Sequence, residues 1–244
     1  MQNVKGSHMQ SKSPRLTAGE RKEAILAAVA PIFARQGREG TTTKEIAKAA
    51  GVSEALLYRH FVSKEALYEN LEVYCAEANA VGSLMLTGAE PSTATLVTGV
   101  ALLVQAVFPG IGNTQSHENT KRLVTSSMLG DGRFAKAFLD RHVKPWVEIF
   151  ERSCQAASAA GDIQDGVHID GVAIWFVHHL ANTLHLVTLP DTRVVEYCVP
   201  QEQLVEIAVR FLLRGIGLKN AAIERYYDPK RLQTTFASVD QETP

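Results

Sequence analysis

Apolar residues recur along this 244-residue chain at intervals of three and four, the spacing that gathers them on one side of an α-helix, and alternating β patterns are nearly absent. The first run predicts a helix over 18–36, with Ile25, Ala28, Val29, Ile32 and Phe33 on one side. Thr17 precedes it and Glu20 lies in its first turn, at the spacing where a hydroxyl and a carboxylate satisfy each other's unpaired amides. Gly37 ends it, because glycine accepts the left-handed conformation that closes helices. Three short pieces follow. Thr42 and Glu45 open a helix to about Ala50, Gly51 and Val52 supply a turn, and Ser53 opens a helix over 54–61. Ser63 then caps a longer helix from Lys64 to about Met85.

Beyond Pro91 the pattern predicts larger helices over about 92–108, 117–129, 133–160, 168–188 and 201–226. They are separated by Pro109-Gly110, Gly130-Asp131-Gly132, Gly161-Asp162 and Pro190-Asp191, all residues that interrupt regular structure. Pro145 inside the third of these predicts a kink or local break. The chain is therefore expected to be all-α, with an N-terminal three-helix domain over 17–77, a larger helical domain over 78–227 and a flexible polar tail over 228–244. Residues 1–16 read as an N-terminal arm, within which Gly6-Ser7-His8-Met9 has the form of a cloning scar and places the natural start at Met9.

Composition changes this picture only when it is divided. An apolar content of 45% supports a sizeable core and argues against general disorder. The net charge of −1 hides an asymmetry: residues 9–64 carry ten Lys and Arg against five Asp and Glu, whereas residues 65–244 carry fourteen against twenty-one. A basic end on an acidic body either meets phosphates or is a chance fluctuation, and a motif has to decide. Cys75, Cys154 and Cys198 are odd in number, widely spaced and form no Cys-x-x-Cys pair, which points to reduced thiols in the cytoplasm rather than disulfides or zinc. Two uncharged stretches, Pro91–Ser116 and Gly171–Pro190, are interrupted by Pro, Gly, His and Asn, so buried helices are expected there and not membrane spans.

The motif lies at 42–61, which reads TTKEIAKAAGVSEALLYRHF. Two short helices joined by a glycine-containing turn make a helix-turn-helix. Ala47 is small where the helices cross closely, and Ile46, Val52 and Leu57 supply the apolar centre. On a 100° wheel Leu57 and Phe61 face inward, Ala55 and Arg59 face away, and Leu56 and Tyr58 lie on the flanks. An outward face of this kind fits the major groove of duplex DNA, where base edges are distinguishable. Leu57-Tyr58-Arg59-His60-Phe61, the following Ser63-Lys64-Glu65-Ala66-Leu67-Tyr68 and the preceding Thr42-Thr43-x-x-Ile46-Ala47-x-x-Ala50-Gly51-Val52-Ser53 closely resemble the DNA-binding domain of the tetracycline-repressor (TetR) family. The resemblance runs over about 18–70, without a gap, and is only architectural afterwards.

That resemblance implies groove contacts from Lys44, Glu54, Ala55 and Tyr58, and phosphate contacts from Thr42, Thr43, His60 and Lys64, with Ser53 at the mouth of the reading helix. Hydroxyls and amides at a helix start suit phosphate oxygens. Arg59 binds either guanine or a phosphate. Glu54 either accepts from a cytosine amine or favours the positive end of its own helix. Leu56 either meets a thymine methyl or packs, and His60 either touches the backbone or tucks against the next helix.

In the body, residues 172–187 and 204–216 are apolar almost all the way round, so each needs cover on more than one side. The resemblance implies that these last two helices form a four-helix homodimer interface, which would set two reading helices on a palindromic operator. It also implies a cavity for a small apolar or aromatic effector. Phe108, Phe134, Phe138, Trp146, Phe150, Trp175 and Phe176 are the candidate walls, and His142, His179, Asn182 or His185 the candidate polar groups. Taken singly, each aromatic reads first as ordinary core and only second as a cavity wall. His178, Asn182 and His185 share a face without a carboxylate, so no metal and no cofactor is expected. Catalytic signatures such as a nucleophile elbow, phosphate-binding glycine loop or zinc helix are missing from the sequence, which disfavours an enzyme. The expected function is a ligand-released repressor, or alternatively a helix-turn-helix regulator governed by a protein partner. The helix beginning at Lys64 is expected to be the lever between the two domains.

Overall fold

The computed structural model describes residues 16–78, 88–107, 115–167, 171–187, 190, 192 and 194–230. Among them the regular structure is helical, apart from one isolated bridge between Ile163 and Leu218. The chain divides into two compact units, the first ending at Tyr74 and the second starting at Cys75.

The first unit contains α1 (Ala18–Gly40), α2 (Thr43–Ala49), α3 (Glu54–His60) and most of α4 (Lys64–Ala78). Both bonds of the expected cap at the start of α1 form: Thr17 Oγ1 accepts from Glu20 N–H, and Glu20 Oε2 accepts from Thr17 N–H. The helical dihedrals break at Gly37, at φ 70°, which is where a stop is predicted, and a short resumed turn carries α1 to Gly40. Ile25, Leu26, Val29, Ala30, Phe33 and Ala34 form its buried face. Phe33 meets Tyr68 of α4 edge-on, with ring centroids 5.3 Å apart. Phe61, Leu67 and Leu71 complete the small core.

The second unit contains α5 (Thr93–Val107), α6 (Gln115–Met128), α7 (Arg133–Phe138), α8 (Lys144–Ala159), α9 (Gly171–Leu186), α10 (Gln201–Gly215) and α11 (Asn220–Tyr226). α5 is the central element, packed against α8, α9, α10 and α11. Its buried residues Leu96, Val97, Val100, Ala101 and Val104 join Val147, Phe150, Ile174, Val177, Val209 and Leu213 in one apolar cluster. No helix among the described residues is long and apolar enough to cross a membrane.

Two predicted helices are divided. The run 133–160 splits at a π-helical turn, Leu139–Val143, in which Lys144 N–H reaches back to Leu139 O. Pro145 is the cause, since it offers no N–H and its ring would collide with the carbonyl four residues back. Widening the ladder by one residue absorbs that conflict without ending the rod. The run 201–226 ends at Gly215 and restarts at Asn220. Gly217 has φ +91°, and Gly217 N–H and Leu218 N–H donate to Arg214 O and Leu213 O, a glycine-closed helix end. This turn also zips to the loop after α8: Gln164 N–H donates to Gly217 O and Lys219 N–H to Asp162 O, each at 2.8 Å. Asp162 itself is buried and accepts from Thr93 Oγ1 at 2.7 Å.

Candidate functional site

The α2–turn–α3 segment is organised by its caps. Thr42 Oγ1 accepts from Glu45 N–H at 3.3 Å and donates to Glu45 Oε2, while Thr42 N–H donates to the same carboxylate at 2.9 Å. These bonds hold the Glu45 carboxyl below the usual carboxylate range. α2 ends as α10 does: Gly51 adopts φ +61°, and Gly51 and Val52 N–H groups return to Lys48 O and Ala47 O. Ser53 Oγ then accepts from Leu56 N–H at 3.1 Å and starts α3.

Burial orients α3. Leu57 and the following Phe61 are 2% exposed, whereas Ser53, Glu54, Ala55, Tyr58 and Arg59 are exposed. Two buried anchors, each worth about 1.5–3 kcal/mol of transfer free energy, therefore fix one side of a seven-residue rod. The opposite side is left free, with a guanidinium, a carboxylate and a phenol on it. Leu56 and His60 are half-buried, and Lys44 on α2 is exposed.

Beside this rod lies an open depression of about 460 Å³, lined by Thr42, Thr43, Tyr58 and Lys64 together with Glu39 and Glu65. Lys64 behaves differently from the sequence expectation of a phosphate ligand. Its Nζ donates to Arg38 O at 2.9 Å and to Thr41 O at 3.2 Å, so two of its three N–H groups are taken by carbonyls at the end of α1. A cation suits the carbonyl-rich end of a helix, and here it pins the stretch leading into Thr42.

The effector candidates do not share one environment. Phe108 lies outside the described residues. Phe134 and Phe150 are fully buried, and Trp146 meets Phe150 edge-on at 5.9 Å. Phe138 and His142 are half-buried with rings 4.8 Å apart, and His142 Nε2 is buried without a hydrogen-bond partner among the described residues. Trp175 is half-buried and stacks on His179, which is exposed. Phe176 corrects the expectation, since at 65% exposed it faces outward on α9 and walls no interior. The histidines turned inward on that helix are His178 and His185, on the stripe of Ile174, Val177 and Ala181. Asn182 bonds His178. His178, Gln105 and Ser153 are missing from the sequence-derived polar set. The i, i+3, i+4, i+7 spacing from Ile174 was the signal that distinguishes His178 from its neighbour.

On α9 the exposed residues Val172, Phe176, His179, Thr183 and Leu186 recur at helical spacing. On α10, Ile207 and Phe211 are 49% and 62% exposed one turn apart.

Residues 25–71 match the family model of bacterial regulatory proteins, tetR family. The nucleoid occlusion factor SlmA of Vibrio campbellii is 46% identical over 59 residues, which are 24% of this chain and 30% of that protein. Among solved structures, AibR in complex with isovaleryl coenzyme A and operator DNA aligns at a TM-score of 0.59 and 24% identity, over 79% of this chain and 97% of that one. A TetR transcriptional regulator from Chloroflexus aurantiacus aligns at 0.59 and 20%, over 83% and 98%. The likeness to both structures is one of fold.

Proposed function

Because the chain belongs to the TetR family of DNA-binding regulators, we propose that it works as a homodimeric, ligand-released repressor that reads a palindromic operator with α3. The observation that carries this reading is the one-sided burial of α3, with Leu57 and Phe61 inside and Glu54, Ala55, Tyr58 and Arg59 outside. A rod held from one side and polar on the other is the shape that enters a major groove. In this reading Lys44, Ser53, Glu54, Ala55, Leu56, Tyr58 and Arg59 approach base edges or the groove wall. Thr42, Thr43 and His60 approach phosphates, and Lys64 holds the Thr42–Thr43 entry in place. Thr42 offers phosphates a hydroxyl already engaged with Glu45, so Thr43 is the better donor of the two.

Enrichment of random duplexes on the purified protein tests the assignment. An inverted repeat is expected, and Tyr58→Phe is expected to weaken binding to it. Equal affinity of wild type and variant would remove the phenol hydroxyl from the interface, and failure to enrich any sequence would remove the regulator reading.

Pairing is assigned to α9 and α10 through Val172, Phe176, Ile207 and Phe211, because on each helix an exposed apolar pair four residues apart is costly unless covered. The effector is assigned to the interior of the second unit, and its binding shifts the population of dimers competent for DNA. A second reading, control by a protein partner, draws on the 59-residue match to a protein named as a nucleoid occlusion factor and not as a repressor. It predicts an operator affinity indifferent to every metabolite tried.

A further inference from the structure

Three helices that pack on one another, α5, α8 and α9, each carry a neutral polar side chain on their buried stripe: Gln105, Ser153 and His178, which are 6%, 0% and 8% exposed. Gln105 Oε1, Ser153 Oγ and His178 Nδ1 have no hydrogen-bond partner among the described residues. An unmade hydrogen bond in an interior is expensive, and a helical serine ordinarily satisfies itself on the preceding turn.

The state of His178 follows from its neighbour. Asn182 Nδ2 is 2.9 Å from His178 Nε2 and donates at 2.9 Å to His178 O. The carbonyl can only accept, so the amide nitrogen faces it and the Asn182 side chain cannot be flipped. Nε2 therefore accepts from the amide, and a neutral ring must carry its proton on Nδ1. Burial keeps the ring neutral, with its pKa pushed down to about 4. The unpartnered atom is thus an N–H donor, beside the Trp175 and His179 rings. Among the described buried residues Asp162 is the acidic one, and it is held by Thr93.

Resting on the effector reading above, we propose that the effector is an uncharged molecule with an apolar body and a carbonyl or hydroxyl oxygen, and that this oxygen accepts the hydrogen bond of His178 Nδ1–H. Ser153 Oγ and Gln105 Oε1 serve the remaining polar atoms of the ligand, the latter as an acceptor for a ligand O–H or N–H. A carboxylate or ammonium ligand would set its charge against these three neutral polar groups, at the desolvation cost of an unpaired charge.

The test uses the full chain and matched probes: benzylacetone and menthone as ketones, butylbenzene and menthane as their hydrocarbon counterparts, and phenylbutyrate as the anion. At saturating concentration the ketones are expected to raise the melting temperature by roughly 5 °C, with the hydrocarbons and the anion far behind. His178→Phe should abolish the ketone shift while the ligand-free melting temperature holds or rises, because an unpaired donor has been removed. Ser153→Ala should likewise leave the ligand-free protein no less stable. Imidazole nitrogen NMR of the wild type, expected to show a protonated Nδ1 and an unprotonated Nε2, keeps the tautomer testable if a variant does not fold. Hydrocarbon shifts equal to those of the ketones, a ketone shift surviving His178→Phe, or a proton on Nε2 would overturn the assignment of His178 and leave the effector reading standing. If no probe moves either the melting temperature or operator affinity, the effector reading falls and takes this inference with it.

Discussion

Lys64 shows how a residue's role depends on what its atoms already hold. At the start of α4 the sequence offers it to a phosphate, yet its ammonium bridges Arg38 O and Thr41 O. Lys64→Ala is therefore expected to weaken operator binding by loosening the entry to Thr42, and to cost roughly 1–3 kcal/mol of stability from two carbonyls left without their charged donor. Its salt dependence should stay close to wild type. Titration at several salt concentrations checks this, and a slope reduced by about one would restore a direct phosphate contact. His178 carries a second prediction. Its folded pKa is depressed from 6.5 to about 4, first by burial and then by the neighbouring His179 charge. Between those two values the unfolded chain binds the additional proton, so stability is complete above pH 6.5 and is lost as pH falls toward 4. The loss is on the order of 3 kcal/mol. Urea denaturation across that range should show a flatter profile for His178→Phe; an unchanged profile would mean the ring is not buried neutral.

The helices of the first unit begin at Ser and Thr caps, and α1, α2 and α10 close at glycine. Every helix start predicted from a Ser or Thr in the first unit is found, because capping is local chemistry between residues three apart. The element misread is the run 201–226, whose interruption is not local. Gly217 closes α10 because its positive φ also brings the turn against the loop after α8, where an added Cβ would sit 2.6 Å from Val167 Cγ1. Gly217→Ala is expected to cost roughly 2 kcal/mol, read as a melting temperature lower by roughly 4–8 °C. Gly215→Ala, in a helical position with open space around it, should be neutral or slightly stabilising. Equal effects at the two positions would contradict the assignment of strain to Gly217.

At the scale of the whole molecule the open question is what covers α9 and α10. In the pairing proposed above, a second copy of the chain would bring Val172, Phe176, Ile207 and Phe211, all exposed in the single chain, against an identical set, as a two-fold interface requires. Phe176→Glu combined with Phe211→Glu is expected to give a folded monomer by sedimentation at micromolar concentration, with operator affinity lost along with the second reading helix. A double variant that stays dimeric would move the interface elsewhere.

Within the sequence alone lay the helical class, the starts of the first-unit helices, the helix-turn-helix and the inward and outward sides of α3. These depend on spacing and on hydrogen bonds between near neighbours, which a linear string records. The sequence also showed that α9 and α10 are apolar beyond the needs of one face. It did not show that Phe176 turns outward and His178 inward, that Lys64 is spent on two carbonyls, or that Gly217 divides the last long helix. Each of those is decided by groups far apart in the chain, because the free energy of a buried donor, a capped carbonyl or a crowded Cβ depends on which distant atoms the fold brings within about 3 Å.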